Sequence, residues 1–561
     1  MKQAPQLALR SAASPSTEGR PWAALGVMCV GIFMIFLDTT TVNVAVPSLI
    51  DGIHASLDQV LWVLNAYLLT YGVLLLFSGR LGESFGQRNV FVVGLGVFTV
   101  ASALCGLSQD GTQLIEARVL QGLGAALLTP QCLVVIARIF PPEKRGVAMG
   151  IFAAVGGLAA MAGAPAGGLI VATWGWRWIF YLNVPIATVA IVLALLFVPA
   201  VKTGGSRRLD LLGVSLATGG LLAVMFGLIE GDRFAWGAVL GPITVPEVIA
   251  VGLALLVAFV VAERLRPEPL LPLDLFSNRN LVVLAWLSGI VAFALFGMLL
   301  VVILDLQSAL RMSPLQAGLT ASPLTVSTTL VSPFAGRLCD RIGSKPVLIF
   351  GLILAAAGVI DLAVVETATA TWLDFMLPAT IIGLGLGCVF APLLAEALRD
   401  VPAEILGSAA GLLTTTRQVG SAMGTAVVGA VLQNRLAAAL HEHAAGASGA
   451  IPGSLKGQFV EAATGSSRSG LLVGPGQMRA PGLPAALAQV DGARELLQRV
   501  LVDSYVTAMR PSLAVVAGAL LLGAITCAWI RRRSEVAETV QRPVPERGPW
   551  AAEVAPAQEG V

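Results

Sequence analysis

An ionisable side chain within or at the end of a long apolar run is costly unless it has a partner or a function. Asp38, Arg118, Asp305 and Arg417 are the candidates of this kind for chemistry. An apolar environment disfavours the charged form of a carboxyl, so Asp38 is a candidate for binding and releasing a proton near neutral pH. A guanidinium keeps its proton, so Arg118 can act only by stabilising a nearby carboxylate or a ligand.

The elements that position these residues are predicted to be membrane helices. Hydrophobic residues make up 56% of the 561 residues and charged residues only 12%, whereas a soluble domain is about a quarter charged. A bilayer-spanning helix needs about 20 apolar residues. Fourteen runs meet this length, at 22–46, 60–79, 90–108, 112–136, 146–171, 178–199, 210–230, 239–262, 281–304, 315–335, 346–364, 374–394, 405–432 and 504–530.

The distribution of lysine and arginine predicts that both termini lie in the cytoplasm. The short loops placed outside hold only Arg177, Arg233 and Arg311, whereas the segments placed inside hold most of the other basic residues. The long outer loop at 433–503 also has basic residues, but long loops cross the membrane largely regardless of charge. The end of this loop, 484–500, is predicted to form a surface helix.

This topology places Asp38 and Arg118 at similar depth. Asp38 lies about 24 Å from the inner end of its helix, and Arg118 lies about 9 Å below the outer face of a roughly 30 Å core. The two side chains can therefore pair. Two alternatives stay open, because Asp38 can bond to Thr39, Thr41 or Asn43 for helix packing, and Arg118 can extend to the outer interface.

The other two charges suggest contacts with a ligand. Asp305 lies about 36 Å along its helix, so it is expected at the outer rim unless the helix tilts, and there it can meet a cationic ligand. Arg417 lies within the apolar depth, where it can bind an anionic group or form a structural ion pair between helices.

A ten-residue pattern occurs twice, which predicts two related halves. Residues 79–88 read GRLGESFGQR and residues 336–345 read GRLCDRIGSK. Both copies have glycine at the first and eighth places, an acid at the fifth and a base at the tenth. Eight predicted spans separate the copies, two more than a six-helix bundle supplies, so a pair of helices is predicted to be inserted between the halves.

The predicted fold is therefore an all-α integral membrane protein of two six-helix bundles with two extra central transmembrane helices. The predicted boundaries are an N-terminal cytoplasmic tail at 1–21, a bundle at 22–200, the inserted pair with its linkers at 201–280, a bundle at 281–530 and a C-terminal cytoplasmic tail at 531–561.

Several motifs resemble those of major facilitator superfamily transporters, in the group of 14-span drug:proton antiporters, and the resemblance covers 22–530. They are the loop at 79–88, Arg118 with Gln121, Gly122 and Gly124, the small-residue run at 163–168, and the runs at 176–185 and 263–276. Three departures from the family pattern occur: Glu83 replaces an aspartate, Gln87 replaces an arginine, and Pro165 stands one place later than usual.

The resemblance implies roles for these residues. Asp38 and Arg118 are implied in proton coupling. In the loop at 79–88, the glycines allow a tight turn, and the acid can meet the positive N-terminal end of a helix in the other half and hold one conformation shut. The residues implied in this conformational switch are Gly79, Glu83, Gly86, Arg88, Gly163, Pro165, Gly167, Gly168, Gly336, Asp340 and Gly343.

The resemblance also implies the export of hydrophobic, often cationic, small molecules or drugs across the cytoplasmic membrane in exchange for protons. Candidates for substrate binding are Asp305, Arg417, Asn43 and Gln121. An alternative is a dedicated exporter or importer of one metabolite on the same fold. An ATP-driven pump is not predicted, since no lysine follows a glycine, and an enzyme is not predicted, since no paired nucleophile and base is evident.

The expected partners are a small-molecule substrate, protons and the lipid bilayer. The basic residues are dispersed along the chain, so no nucleic-acid partner is expected. The six cysteines have no CxxC spacing and are interpreted as packing residues, so no metal and no cofactor are expected. The chain is expected to act as a monomer.

Overall fold

The computed structural model describes residues 21–53, 55, 57–200, 210–231, 234, 236–266, 271–306, 312, 314–365, 371–402, 404–447, 451–452, 455–468 and 492–530. Within these ranges the fold is almost entirely helical. The helices are α1 Pro21–Ile53, α2 Leu57–Phe85, α3 Gln87–Leu107, α4 Gly111–Ile139, α5 Pro142–Trp174, α6 Arg177–Tyr181, α7 Asn183–Phe197, α8 Leu211–Glu230, α9 Val245–Arg264, α10 Arg279–Leu304, α11 Pro314–Ile342, α12 Ser344–Val365, α13 Met376–Ala397, α14 Leu406–Ala447, α15 Lys456–Arg468 and α16 Ala493–Thr526.

Twelve of the described helical segments are long and apolar enough to cross a membrane, with α6 and α7 together forming one of them. The other two predicted spans lie in α5, of 33 residues, and α11, of 29 residues. Both exceed the roughly 20 residues that a bilayer requires. The chain is a multi-pass membrane protein, and its helices are compatible with the fourteen predicted spans.

Glycines set the closest approaches between these helices. A methyl group on Gly124 of α4 would lie 2.6 Å from the backbone nitrogen of Phe98 in α3. Likewise, a methyl group on Gly297 of α10 would lie 3.1 Å from the carbonyl oxygen of Gly424 in α14. Membrane helices gain little from the hydrophobic effect when they associate, so close backbone packing through small residues supplies much of the attraction.

The two copies of the repeated motif, predicted as loops, are helical except for one glycine each: α2 ends at Phe85 and α3 starts at Gln87, and α11 ends at Ile342 and α12 starts at Ser344. Gly86 and Gly343 have φ of +87° and +88°, a left-handed conformation that glycine adopts without strain. At the first place of each copy, a methyl group on Gly79 would overlap the carbonyl oxygen of Gly407 in α14, and one on Gly336 would overlap that of Gly146 in α5. Each copy therefore joins the helix before it to a distant helix through a glycine-to-glycine contact.

Of the predicted inserted pair, α8 packs against α2 and α14, and α9 packs against α8. A small apolar cluster joins α8 to α2, built from Leu69 and Val73 of α2 and Leu221 and Met225 of α8, with Val419 of α14 packed against it. A short antiparallel hairpin, Ala238–Leu240 with Ile243–Thr244, connects α8 to α9.

The outer segment predicted as a loop at 433–503 is partly helical. Helix α14 continues to Ala447, and α16 starts at Ala493, so the end of the predicted surface helix and the last predicted span form one helix. A contact of 3.1 Å between Nδ1 of His443 and Oγ of Ser504 links the two extensions. The two helices have 42 and 34 residues, more than the roughly 20 that a bilayer requires. They pack against each other, so each extension has a partner there. The rest of the predicted surface helix, at 484–491, lies outside the described residues.

Two glycine substitutions test this account of helix packing. Gly124→Ala is expected to lower the free energy of unfolding by about 1–3 kcal/mol, because its methyl group meets the backbone of α3. Gly96→Ala, on α3, is the matched control, since nothing lies within 4 Å of its new methyl group. It is expected to raise stability by about 0.5–1 kcal/mol, because alanine favours the helix. Reversible unfolding in mixed micelles measures both values, and equal effects would contradict the packing account.

Candidate functional site

Asp38 of α1 and Arg118 of α4 form a buried ion pair. Nη1 of Arg118 lies 2.5 Å from Oδ2 of Asp38, and the two side chains are 1% and 0% exposed. The structure thus brings together the two residues that the sequence placed at similar depth. A buried pair of opposite charges needs further hydrogen bonds to offset the loss of hydration.

Two amides supply these bonds to the carboxyl of Asp38. Nε2 of Gln121 donates to Oδ1 at 2.9 Å, and Nδ2 of Asn183 donates to the same oxygen at 3.2 Å. With Arg118 on Oδ2, three donors converge on one carboxyl. A carboxylate accepts all three, so the arrangement fits the ionised form of Asp38.

Ser102 of α3 connects the two amides. Its Oγ accepts from Nδ2 of Asn183 at 3.1 Å and from Nε2 of Gln121 at 3.4 Å, and its hydroxyl donates to the carbonyl of Phe180 at 2.9 Å. Oε1 of Gln121 in turn accepts from Nη1 of Arg118 at 2.7 Å. We call Asp38, Ser102, Arg118, Gln121 and Asn183 the polar network.

Helix α2 encloses the charged end of Arg118. Nε of Arg118 donates to the carbonyl of Val63 at 3.1 Å, and its Cζ lies 4.2 Å from the ring centre of Tyr67. A guanidinium over an aromatic face is attracted to the ring, more strongly where water is excluded. Arg118 is therefore held by four groups from three helices and does not extend to the outer interface.

Small residues bring the helices around the network together. A methyl group on Gly122 would lie 2.7 Å from the carbonyl oxygen of Tyr67, so α4 can approach α2 only with glycine there. On α5, Gly163 contacts Thr40, and a methyl group on Gly167 would lie 3.0 Å from Cα of Thr41. The run at 163–168, which includes the half-buried Pro165 and Gly168, thus faces the helix of Asp38.

The motif at 79–88, at the end of α2 and the start of α3, contacts the start of α14. Oε1 of Glu83 accepts from the backbone N–H of Ser408 at 2.6 Å, across 325 residues of sequence. Ser408 lies in the first turn of α14, where free N–H groups and the helix dipole favour a negative charge. Oε2 of Glu83 accepts from Arg80 at 2.8 Å, and both side chains are buried.

Two further candidates for the conformational switch are Arg88 and, in the second copy, Asp340. Arg88 is half-buried next to the turn at Gly86. In the second copy, Asp340 belongs to α11, but its side chain lies outside what the structure describes.

The remaining substrate-binding candidates do not gather at one point in the described structure. Asn43 is exposed, and its Nδ2 donates to the carbonyl of Thr39 at 2.9 Å within α1. Asp305 is 1% exposed at the end of α10 instead of lying open at an outer rim. Arg417 is half-buried in α14, and the described residues show no hydrogen bond or ion pair to its guanidinium. The fourth candidate, Gln121, belongs to the polar network.

Sequence reasoning did not place Ser102 or Asn183 in the network, although Asn183 lies in the motif at 176–185, which was interpreted as acting in topology and packing. Asn183 is 1% exposed and Ser102 is fully buried. A polar amide within an apolar run was the available signal for Asn183, whereas a single serine carries no such signal. No group of three or more metal-ligating side chains occurs in the ranges that the structure describes.

A double-mutant cycle tests whether the ion pair is energetically coupled. Asp38→Ala and Arg118→Ala are each expected to lower the free energy of unfolding by about 3–5 kcal/mol, because each leaves a buried charge without its partner. The double variant is expected to cost well below the sum of the two. The control is Glu396 with Arg399, 2.8 Å apart and partly exposed, for which a coupling of about 0.2–1 kcal/mol is expected. Additive effects at Asp38 and Arg118 would contradict the coupling.

Comparison with known proteins places this architecture in a family. The model of the Major Facilitator Superfamily matches residues 28–425. The puromycin resistance protein of Streptomyces alboniger is 35% identical over 81% of this chain and 90% of its own length. The tetracenomycin C resistance and export protein of Streptomyces glaucescens is 34% identical over 75% of this chain and 77% of its own.

A solved structure shows the same fold at low sequence identity. The human organic anion transporter MFSD10 superposes with a TM-score of 0.56 and 11% identity, over 90% of this chain and 99% of that one. The family model covers more than half of the chain, and both relatives are more than 30% identical to it. The chain belongs to the major facilitator superfamily of membrane transporters.

Proposed function

We propose that this transporter is a proton-coupled antiporter that exports hydrophobic, often cationic, small molecules or drugs across the cytoplasmic membrane. The buried Asp38–Arg118 pair is the observation that supports it best. An ion pair inside a membrane bundle loses the hydration of both charges, which disfavours it unless it has a function. Asp38 is the member of the pair that can gain or lose a proton.

Protonation of Asp38 changes what the network can hold. A neutral carboxyl attracts Arg118 less, and its new O–H is a donor facing three existing donors. The hydrogen bonds around Asp38 must then rearrange. Because Arg118 also bonds to the carbonyl of Val63 and lies over Tyr67, the rearrangement acts on α2 directly.

Helix α2 is the proposed link between proton binding and opening. Tyr67 lies beside Arg118, and further along the same helix Gly79 and Glu83 contact the start of α14. We take this end to be cytoplasmic, as the basic residues predict, so the contacts close the inner side. A shift of α2 that separates Glu83 from Ser408 would open the protein towards the cytoplasm and admit substrate.

The relatives support the choice of substrate class. Two of them bear names that refer to resistance to puromycin or to the export of tetracenomycin C. In this chain, Asp305, Arg417 and Asn43 remain the proposed contacts with substrate. We further propose cytoplasmic termini, two six-helix bundles at 22–200 and 281–530 with the inserted pair between them, and a monomer as the working unit.

Dye transport tests the proposal. In inside-out vesicles with an acidic interior, the native protein is expected to accumulate a cationic dye only while the pH gradient lasts. Asp38→Asn removes the proton site and is expected to lower the rate at least tenfold.

The matched control is Asp374→Asn. Asp374 is an exposed acid between α12 and α13, where hydrogen bonds from the backbone N–H and hydroxyl of Thr371 lower the pKa of its carboxyl. This variant is expected to transport like the native protein. A folded native protein that ignores cationic and neutral dyes would overturn the proposal and favour a carrier of one metabolite.

A further inference from the structure

Asn183 is the part of the polar network for which the proposed mechanism has no role yet. It lies at the start of α7, whereas Asp38, Ser102 and Arg118 belong to α1, α3 and α4. Its side chain is 1% exposed. An amide buried at this depth must satisfy its hydrogen bonds within the protein, because lipid offers none.

The amide of Asn183 donates to two groups at once. Its Nδ2 lies 3.2 Å from Oδ1 of Asp38 and 3.1 Å from Oγ of Ser102. Ser102 is itself held by its bond to the carbonyl of Phe180, just before α7. Asn183 is thus fixed relative to the carboxyl of Asp38 from two directions.

We propose that Asn183 is a positioning residue that holds Asp38 in its ionised form and so sets the pH at which the transporter takes up its proton. The inference rests on the proposed function. The donor on Oδ1 bonds more strongly to the charged carboxylate than to the neutral acid, and so favours the charged form. Removing it makes protonation easier, so the proton binds at higher pH.

The other groups around Asp38 do not replace this donor. The titratable and charged groups that face the carboxyl are Arg118 of α4, Tyr67 of α2 and Cys105 of α3. Helix α7 has no titratable residue, and those of α5 lie at its first turn, at 143–145. Gln121 stays on Oδ1 when Asn183 is removed, so the carboxyl keeps two of its three donors.

Infrared spectroscopy of the purified full-length protein in nanodiscs provides the test. The C=O stretch of protonated Asp38 is followed over pH and assigned by its loss in Asp38→Asn. Asn183→Ala is expected to raise the midpoint of this titration by about one pH unit, the size expected for one hydrogen bond to a charged group. Ser102→Ala, which keeps the direct bond but loses its anchor, is expected to give a smaller shift in the same direction.

Controls separate positioning from mere packing. Thr188→Val changes an exposed residue of the same helix, whose hydroxyl donates to the carbonyl of Val184, and it is expected to leave the midpoint unchanged. A folded Asn183→Ala protein with the native midpoint would overturn the inference. If the native protein shows no proton-dependent dye transport, the proposed function fails instead, whatever the titration shows.

The inserted helices support a second, independent inference. The contacts of α8 with α2 include a hydrogen bond of 2.7 Å from Asn65 to Glu230 and the stacked rings of Trp62 and Phe226, 6.0 Å apart. Between α8 and α14, the described residues show apolar packing, with Val419 of α14 against the cluster that contains Met225. The polar and aromatic contacts therefore tie α8 to the first bundle.

One point at this seam brings all three helices together. A methyl group on Gly72 of α2 would lie 2.5 Å from Cε of Met225 in α8 and 2.6 Å from Cγ of Gln418 in α14. Since α2 and α14 must separate when the inner side opens, α8 can follow only one of them. We infer that α8 and α9 move with α2, so Met225 and Gln418, which both approach Gly72, separate in each transport cycle.

Cross-linking in a cysteine-free version of the chain tests this second inference, which also rests on the proposed function. Met225→Cys with Gln418→Cys allows α8 to be joined to α14. A short cross-linker that attaches to both cysteines through disulfide bonds is expected to abolish dye transport, and a reductant that cleaves these bonds is expected to restore it. Asn65→Cys with Glu230→Cys is the matched pair that joins α8 to α2. After cross-linking, this variant is expected to transport dye at more than half of the rate of the same variant in its reduced form.

Two outcomes would overturn the inference. One is transport that survives the link between α8 and α14, and the other is transport blocked by the link between α8 and α2. Failure of both reduced proteins and of the native chain to transport dye would count against the proposed function instead.

Discussion

The buried ion pair between Asp38 and Arg118 is the interaction on which the rest of the first bundle depends. Two charges inside a membrane protein lose their hydration, and their attraction offsets that loss only when the remaining hydrogen-bonding groups are satisfied. The structure satisfies them with Gln121 and Asn183 on the carboxyl and with the carbonyl of Val63 on the guanidinium. Five helices therefore have to meet at one depth.

Close packing through glycine allows this meeting. Helix α4 approaches α2 to within backbone contact at Gly122, and α5 approaches α1 at Gly163 and Gly167. The same device recurs between the halves, at Gly79 with Gly407 and at Gly336 with Gly146. These contacts involve no side chain that has to be repacked, so they can form and separate at low cost as helices move.

A charged contact of Glu83 stabilises the first of these two glycine contacts. Its carboxylate binds the N-terminal turn of α14 and Arg80, so the first copy of the repeat has an electrostatic lock next to its glycine contact. Helix α2 contains both this lock and the residues that touch Arg118. In the proposed mechanism, a change at Asp38 acts on α2 through Arg118. Because α2 is one continuous helix, its displacement there would also displace Glu83 at its other end.

The sequence by itself determined the class of protein, the helices and the identity of the main charges. Hydropathy, the repeated loop and the depth of Asp38 and Arg118 all follow from local spacing along the chain, and membrane helices have a fixed rise per residue. Only the tertiary structure decided which neighbours these residues have. Asn183 and Ser102 join Asp38 because α3 and α7 pack beside α1, and Asp305 is buried, which no one-dimensional spacing predicts. Lateral packing depends on the shapes of several helices at once, so the neighbours of Asp38 cannot be predicted from the spacing of residues along any one helix.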